Sequence, residues 1–302
     1  GKKIGRQESL CTPHIYDLNE YIGTGVHEMT ICVSNVGYKT KGGHLTSPDT
    51  QTNWNGITGR IELIGYKNAH AENVMLWCDI HSKTVRVTAD ITGGKSGKAV
   101  IGAESFNSEK NHTPAVQSFE YTDGKLDALY KMGDDCLLWS EHEPNLYKLK
   151  IDIDGDVSEH IIGMREFRTE GGKFTINGKK TFLRGKHDGM IFPKTAFAPT
   201  DLEEWLRIMK ISKSYGMNHY RYHTCCPPEA AFIAADMLGI YMEPQLPFWG
   251  TITEEGEENH NQEEQDFLVE EGFNMLRYFG NHPSYCMMSM GNELWGSKKI
   301  LN

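Results

Sequence analysis

A change of rhythm near residue 170 predicts a multidomain protein in which β-sandwich modules precede a parallel α/β unit. Before about residue 170, short alternating runs recur between Gly, Asn, Asp and Pro, and no helix-period segment exceeds two turns. After about residue 180, strand-like and helix-like segments alternate. The apolar run 284–290 has the near-continuous hydrophobicity of a strand covered on both faces. Four such steps begin either a doubly wound sheet or a (β/α)8 barrel, and periodicity alone leaves both open.

In the first region, Val85-Arg86-Val87-Thr88-Ala89 alternates with period two, as does the run 146–153. Asp154-Gly155 then marks a hairpin turn, because both residues tolerate positive φ. In the second region, 181–185 reads as a strand. Pro199-Thr200-Asp201 opens a helix, with Thr200 and Glu203 at capping-box spacing and Leu202, Trp205 and Met209 on one side. Gly216 stops that helix, and 218–224 is a second strand. Pro227-Pro228 starts a second helix, which Gly239 ends. The run 240–246 is a third strand. The polar stretch 254–266 leads into a third helix through Phe267, Leu268, Phe273, Leu276 and Phe279, stopped by Gly280 and Pro283. Neither a Gly-rich dinucleotide fingerprint nor a phosphate loop follows the first strand.

The 302 residues suffice for more than one core, and 38% hydrophobic with 24% charged residues is ordinary for a globular protein. A net charge of −10 argues against nucleic acid as a partner. No run of about 18 apolar residues exists to cross a membrane. No apolar stretch follows the first residues as in a signal peptide. The seven cysteines are odd in number and contain no CxxC pair, which fits a reducing compartment or a disulfide-poor periplasm. His219, His223, Cys225 and Cys226 lack a zinc spacing, and no metal is expected. The methionines at 287, 288 and 290 read as strand core, and the acidic stretch as a solvated face.

The polar residues fall at the strand ends, where a (β/α)8 barrel carries its chemistry. The first strand delivers Lys186, His187 and Asp188, and the second Arg221 and His223. The third delivers Gln245 and then Phe248 and Trp249, and the fourth Asn292, Glu293 and Trp295. Each has a plain structural reading: a local Asx turn for Asp188, an ion pair for Arg221, a core imidazole for His223, loop packing for the tryptophans. Together they describe a polar cleft with aromatic walls, suited to sugars, which present hydroxyls to polar groups and C–H faces to indole rings. Glycosidic cleavage needs two carboxylates, one to protonate the leaving oxygen. A Glu at an apolar strand end is expected to be partly desolvated, which favours its protonated form.

Gly291-Asn292-Glu293, following Asn281-His282-Pro283-Ser284, resembles the acid/base signature of glycoside hydrolase family 2, the β-galactosidases, β-glucuronidases and β-mannosidases. Leu183-Arg184-Gly185-Lys186-His187-Asp188, after Phe174-Thr175-Ile176-Asn177-Gly178-Lys179, resembles the entry to that family's first barrel strand. Met217-Asn218-His219-Tyr220-Arg221-Tyr222-His223 and Ala235-Asp236-Met237-Leu238-Gly239-Ile240 resemble the next two steps. Upstream, Asn53-Trp54-Asn55-Gly56-Ile57-Thr58-Gly59-Arg60-Ile61-Glu62-Leu63 looks like the end of a jelly roll. Leu138-Trp139-Ser140-Glu141-His142-Glu143-Pro144-Asn145-Leu146-Tyr147 looks like the late part of an immunoglobulin-like domain, and Gly163-Met164-Arg165 resembles the exit from it.

The resemblance implies the C-terminal part of a jelly roll over 1–68, an immunoglobulin-like sandwich over 69–168 and the N-terminal half of a (β/α)8 barrel over 169–302. It implies a retaining exo-β-glycosidase with Glu293 as general acid/base. Substrate contacts are expected from Asn292, His187, Asp188, Arg221, His223, Gln245, Trp249 and Trp295. The nucleophile would be a second Glu beyond residue 302, so the chain is expected to be cut at both ends and inactive alone. The partner is carbohydrate, no metal or organic cofactor is required, and homo-oligomerisation is left open. Two departures bear on substrate choice: Gln245 is aligned where the family carries an acid, and one residue rather than two separates Arg221 from His223. A catalytically silent carbohydrate-binding relative and an unrelated doubly wound enzyme are the competing readings.

Overall fold

The computed structural model describes residues 1–34, 36–41, 43–47 and 56–301. Asn53, Trp54 and Asn55, which carry part of the N-terminal resemblance, lie outside the described residues. Regular structure begins with β1 (His70–Asp79), β2 (Thr84–Thr92), β3 (Gly97–Phe106), β4 (Gln117–Tyr121), β5 (Lys125–Lys131), β6 (Leu146–Ile153) and β7 (Asp156–Ile162). They form two antiparallel sheets, β1-β2-β5 and β4-β3-β6-β7. Period-two burial builds the core between them: Val85, Val87, Ala89 and Ile91 from β2 meet Tyr147, Leu149, Ile151 and Ile153 from β6. The Asp154-Gly155 turn forms as expected, with φ of 52° and 84° joining β6 to β7.

A small meander, β8 (Phe167–Glu170), β9 (Lys173–Ile176) and β10 (Lys179–Lys180), leads to the parallel region. This comprises β11 (Gly185–Asp188), α1 (Leu202–Ser214), β12 (His219–Tyr222), α2 (Glu229–Leu238), β13 (Tyr241–Glu243), β14 (Trp249–Ile252), α3 (Gln262–Phe279), β15 (Asn292–Gly296) and α4 (Lys298–Leu301). The first strand begins at Gly185, not at 181. The cap of α1 is Asp201, whose carboxylate accepts from Glu204 N at 2.8 Å, rather than Thr200.

β11, β12 and β13 pair in parallel in that order. The fourth run then lies along the third: Met242 bridges Tyr285, Gln245 bridges Ser289, and β14 pairs with β15, all parallel. Consecutive strands are therefore neighbours throughout, without the reversal of order that a doubly wound sheet requires. Alternation sorts the faces. Tyr220 and Tyr222 point to the helices and are fully buried with Trp205, Met209 and Phe232, while Arg221 points to the opposite face.

Among the described residues before His70 there is no strand and no helix, so the jelly-roll sheet expected over 1–68 is absent there. Leu10 and Leu45 pack against the core of the parallel region, whereas Val26, Leu63 and Ile61 are 102%, 74% and 66% exposed. Without partners the backbone gains no ladder.

The sandwich and the parallel region share a seam of Trp139, Leu146, Ile176 and Tyr241. Trp139 Nε1 donates to Asp236 O at 2.8 Å, and Arg165 donates to the carbonyls of Pro283 and Tyr285 at 2.9 and 2.7 Å. Asn281 clamps the β1 irregularity, donating to Val74 O and accepting from Leu76 N. Gly239 is required at the end of α2: its φ is 69°, and a Cβ would fall 2.6 Å from Ser140 O.

Candidate active site

The C-terminal ends of the parallel strands gather most of the residues singled out from sequence. Register places His187, Arg221 and Glu243 in one row across β11, β12 and β13. One step further along, the buried His223 ring lies 5.0 Å from His187 and 5.2 Å from Trp249, both edge-on. Trp249 Nε1 donates to Glu293 Oε2 at 2.9 Å, and Arg221 donates to Asn292 Oδ1 at 2.9 Å. Second, third and fourth strands are thus joined through side chains at one mouth.

Asn292 and Glu293 are adjacent, so a regular strand would aim them at opposite faces. The backbone prevents this. β15 is irregular against β14: Trp249 pairs with Asn292 and Thr251 with Trp295, so one extra residue bulges from β15. Such a bulge re-aims a side chain. Gly291 enters it at φ 138°, and a Cβ there would meet Phe248 O at 2.6 Å. Glu293 itself adopts φ 46°. Non-glycine residues at positive φ also sit at the neighbouring rims, Met190 at 55° and Thr224 at 52°. Strained backbone of this kind concentrates at functional sites.

Electrostatics follow from the packing. Burial, then the nearby His44, His187 and Arg221, push the His223 imidazole down to about 4. The ring is therefore neutral near pH 7, keeping one donor and one acceptor nitrogen. Followed by NMR across pH, its signals are expected to titrate with a midpoint near about 4. A midpoint near the ordinary value of about 6.5 would mean the cluster is looser than described.

Three of the expected site residues have surroundings that the sequence did not suggest. Gln245 is fully buried, its Oε1 accepting from Thr224 N at 2.9 Å while its Nε2 has no hydrogen-bond partner among the described residues. Asp188 is 6% exposed, accepting from Met190 N at 2.7 Å and pairing with Lys186 at 3.0 Å, which is the Asx-turn arrangement. Glu293 is exposed, not desolvated. Its bulge turns it outward, and only the third strand's Trp249 covers it among the described contacts.

His187 is exposed, Arg221 half-buried and Trp249 43% exposed, so all three remain accessible. Trp295 is 70% exposed and joins none of these groups by a ring contact or hydrogen bond among the described residues. Sequence reading passed over two neighbours. Glu243, 3.0 Å from His219, is an acid on the third strand in register with Arg221. His44 reaches His223 from far upstream. The alternation of 241–245 could have found Glu243; no local signal marks His44. Among the described residues, no group of three His, Cys, Asp or Glu is placed to hold a metal ion. Among the described residues, no helix is long and apolar enough to cross a membrane.

No protein-family model matches the chain. It is similar to a β-galactosidase of Halalkalibacterium halodurans, 24% identical over all of this chain and 31% of the relative. A GH2 β-galacturonidase from Eisenbergiella tayi, solved bound to galacturonate, superposes with a TM-score of 0.63 at 18% identity, over 83% of this chain and 45% of that one. A glycosyl hydrolase family 2 member from Bacteroides cellulosilyticus does so with a TM-score of 0.60 at 22% identity, over 77% and 32%. The chain spans about a third of the length of the curated relatives it matches.

Proposed function

We propose that the chain, which is similar to members of glycoside hydrolase family 2, carries the acid/base half of a retaining exo-β-glycosidase site that removes terminal sugars from oligo- or polysaccharides. One observation carries the reading: Glu293 and Asn292, on a bulge at the end of the fourth parallel strand, are bonded to Trp249 and Arg221 of the third and second. In this reading the sandwich over 69–168 is immunoglobulin-like and 169–302 is the first half of a (β/α)8 barrel. Sequential parallel pairing of four strands supports the barrel.

The chemistry follows from the groups. A pyranose rests its C–H face on Trp249, while Asn292 and the His187 and His223 imidazoles take its hydroxyls. Arg221 holds Asn292 in place. Glu293 hands a proton to the departing oxygen, then removes one from water as the glycosyl intermediate is hydrolysed. The attacking carboxylate belongs about 5–5.5 Å away and is supplied from beyond residue 302.

The test is a panel of aryl β-galactoside, β-glucuronide and β-mannoside, offered to the 302-residue chain and to a longer protein that contains it. Turnover is expected only from the longer form. Robust turnover by the 302-residue chain removes the missing-carboxylate premise. A longer form that binds sugars but hydrolyses none of them makes this a carbohydrate-binding relative.

A further inference from the structure

Phe248 and Trp249 are tied to the fourth strand twice. Trp249 donates from Nε1 to Glu293 Oε2 at 2.9 Å, and the Phe248 carbonyl accepts from Asn292 N at 3.0 Å. The backbone bond sets the bulge beside the indole. Gly291 leaves room for it, since a Cβ there would meet that same carbonyl at 2.6 Å. The His223 ring stands edge-on to the indole, centroids 5.2 Å apart and planes at 77°, which braces the plane of the N–H.

The direction of the side-chain bond has a chemical consequence. An indole N–H only donates, so it needs an oxygen with free lone pairs in either form of Glu293. In the carboxylate both oxygens qualify. In the acid form the carbonyl oxygen is the better acceptor, because the hydroxyl oxygen carries the proton. With Oε2 held by Trp249, the proton is left to Oε1, which has no hydrogen bond or ion pair among the described residues. Glu293 is exposed, so without this bond nothing described here would choose between its two oxygens or fix the plane of the carboxyl group.

We propose that Trp249 is the positioning residue of the acid: its N–H occupies Glu293 Oε2, orients the carboxyl group and leaves the transferable proton on Oε1. In the first step the second carboxylate of the retaining mechanism bonds the anomeric carbon, and the glycosidic C–O pair goes to the departing oxygen. That oxygen takes the proton from Oε1, and the O–H pair stays on Glu293 as a carboxylate still bonded to Trp249. The proposal rests on the glycosidase reading and adds to it a role for Trp249 distinct from the sugar-facing surface of its ring.

The experiment compares Trp249→Phe with Glu293→Gln in a glycosidase-active longer form of the protein, on an alkyl and a dinitrophenyl β-glycoside of the sugar it cleaves. Phenylalanine keeps an aromatic face and removes the N–H. On the alkyl glycoside kcat and kcat/KM are expected to fall together about tenfold, the scale of one lost hydrogen bond. On the dinitrophenyl glycoside, whose leaving group needs little proton transfer, kcat/KM is expected to stay within about threefold. In a Glu293→Gln background there is no proton to place, and the same substitution is expected to cost less than about threefold. A ring that only carries the sugar would raise KM with kcat unchanged, equally on both substrates and in both backgrounds, and that pattern overturns the proposal. If Glu293→Gln alone leaves the alkyl rate intact, the acid assignment fails and the proposal falls with it. Where Trp249→Phe does not fold, NMR of the 302-residue chain decides. The Trp249 indole N–H signal is expected to move to the free-indole position in Glu293→Ala and to stay hydrogen-bonded in Glu293→Gln. A signal unmoved by Glu293→Ala overturns the proposal.

Discussion

Glu293→Gln, introduced into a glycosidase-active form of the protein, is expected to lower kcat/KM by about 10²–10⁴, the range for one general acid–base group. Glutamine can still accept from Trp249 Nε1, which bonds Glu293 at 2.9 Å, so the bulge and the indole should keep their places. What disappears is the transferable proton. The loss should therefore be uneven across substrates. An alkyl glycoside, whose leaving oxygen needs that proton in the transition state, should suffer most. An aryl glycoside with an acidic phenol leaves without much help and should retain part of its rate of bond cleavage. Equal losses on both would point to a binding or structural role, and no loss on either would remove Glu293 from the chemistry.

Much of this site was legible because two simple patterns agree. Strand-like runs that alternate with helix-like ones locate parallel strands, and the ends of such strands are where side chains can meet. His187, Arg221, His223, Trp249, Asn292 and Glu293 could be named on that basis, and the structure brings them to one mouth. Register was not legible. A slip of two residues leaves alternation unchanged, so Gln245 looked like the acidic position's counterpart, whereas Glu243 stands beside Arg221. The bulge at Glu293 was hidden for a similar reason, since an extra residue in a strand alters no composition. His44 was out of reach because its partner Thr224 lies 180 residues away, and only folding makes them neighbours. The jelly-roll expectation met a different obstacle: among the described residues before His70 no strand forms, and only some of the apolar residues, Leu10 and Leu45 among them, pack against the core.

The Asn281-His282-Pro283-Ser284 run, which sequence alone ties to the acid/base signature, acts in the structure as a clamp. Asp236 is at its centre, 1% exposed, with Oδ2 bound to His282 Nδ1 at 2.6 Å and Oδ1 accepting from Ser284 N at 3.0 Å. Ser284 O in turn accepts from Met242 N, so this carboxylate holds the fourth strand against the third. Asp236→Ala leaves a largely buried imidazole and a strand amide without partners, and should cost about 3–5 kcal/mol. Asp236→Asn retains an acceptor for Ser284 and should cost about 1–2 kcal/mol. The pH dependence separates this cause from simple cavity formation. Burial by itself would lower the His282 pKa, but the charge and hydrogen bond of Asp236 outweigh it and raise it. A raised folded value means that the pair's contribution is complete below the unfolded value of about 6.5 and is lost as pH climbs through the folded one. The deficit of Asp236→Ala in urea unfolding should therefore be largest near pH 6 and shrink on the alkaline side. A deficit that grows with pH, or one below about 1 kcal/mol at pH 6, would show that the fourth strand is held by the apolar seam and not by this carboxylate.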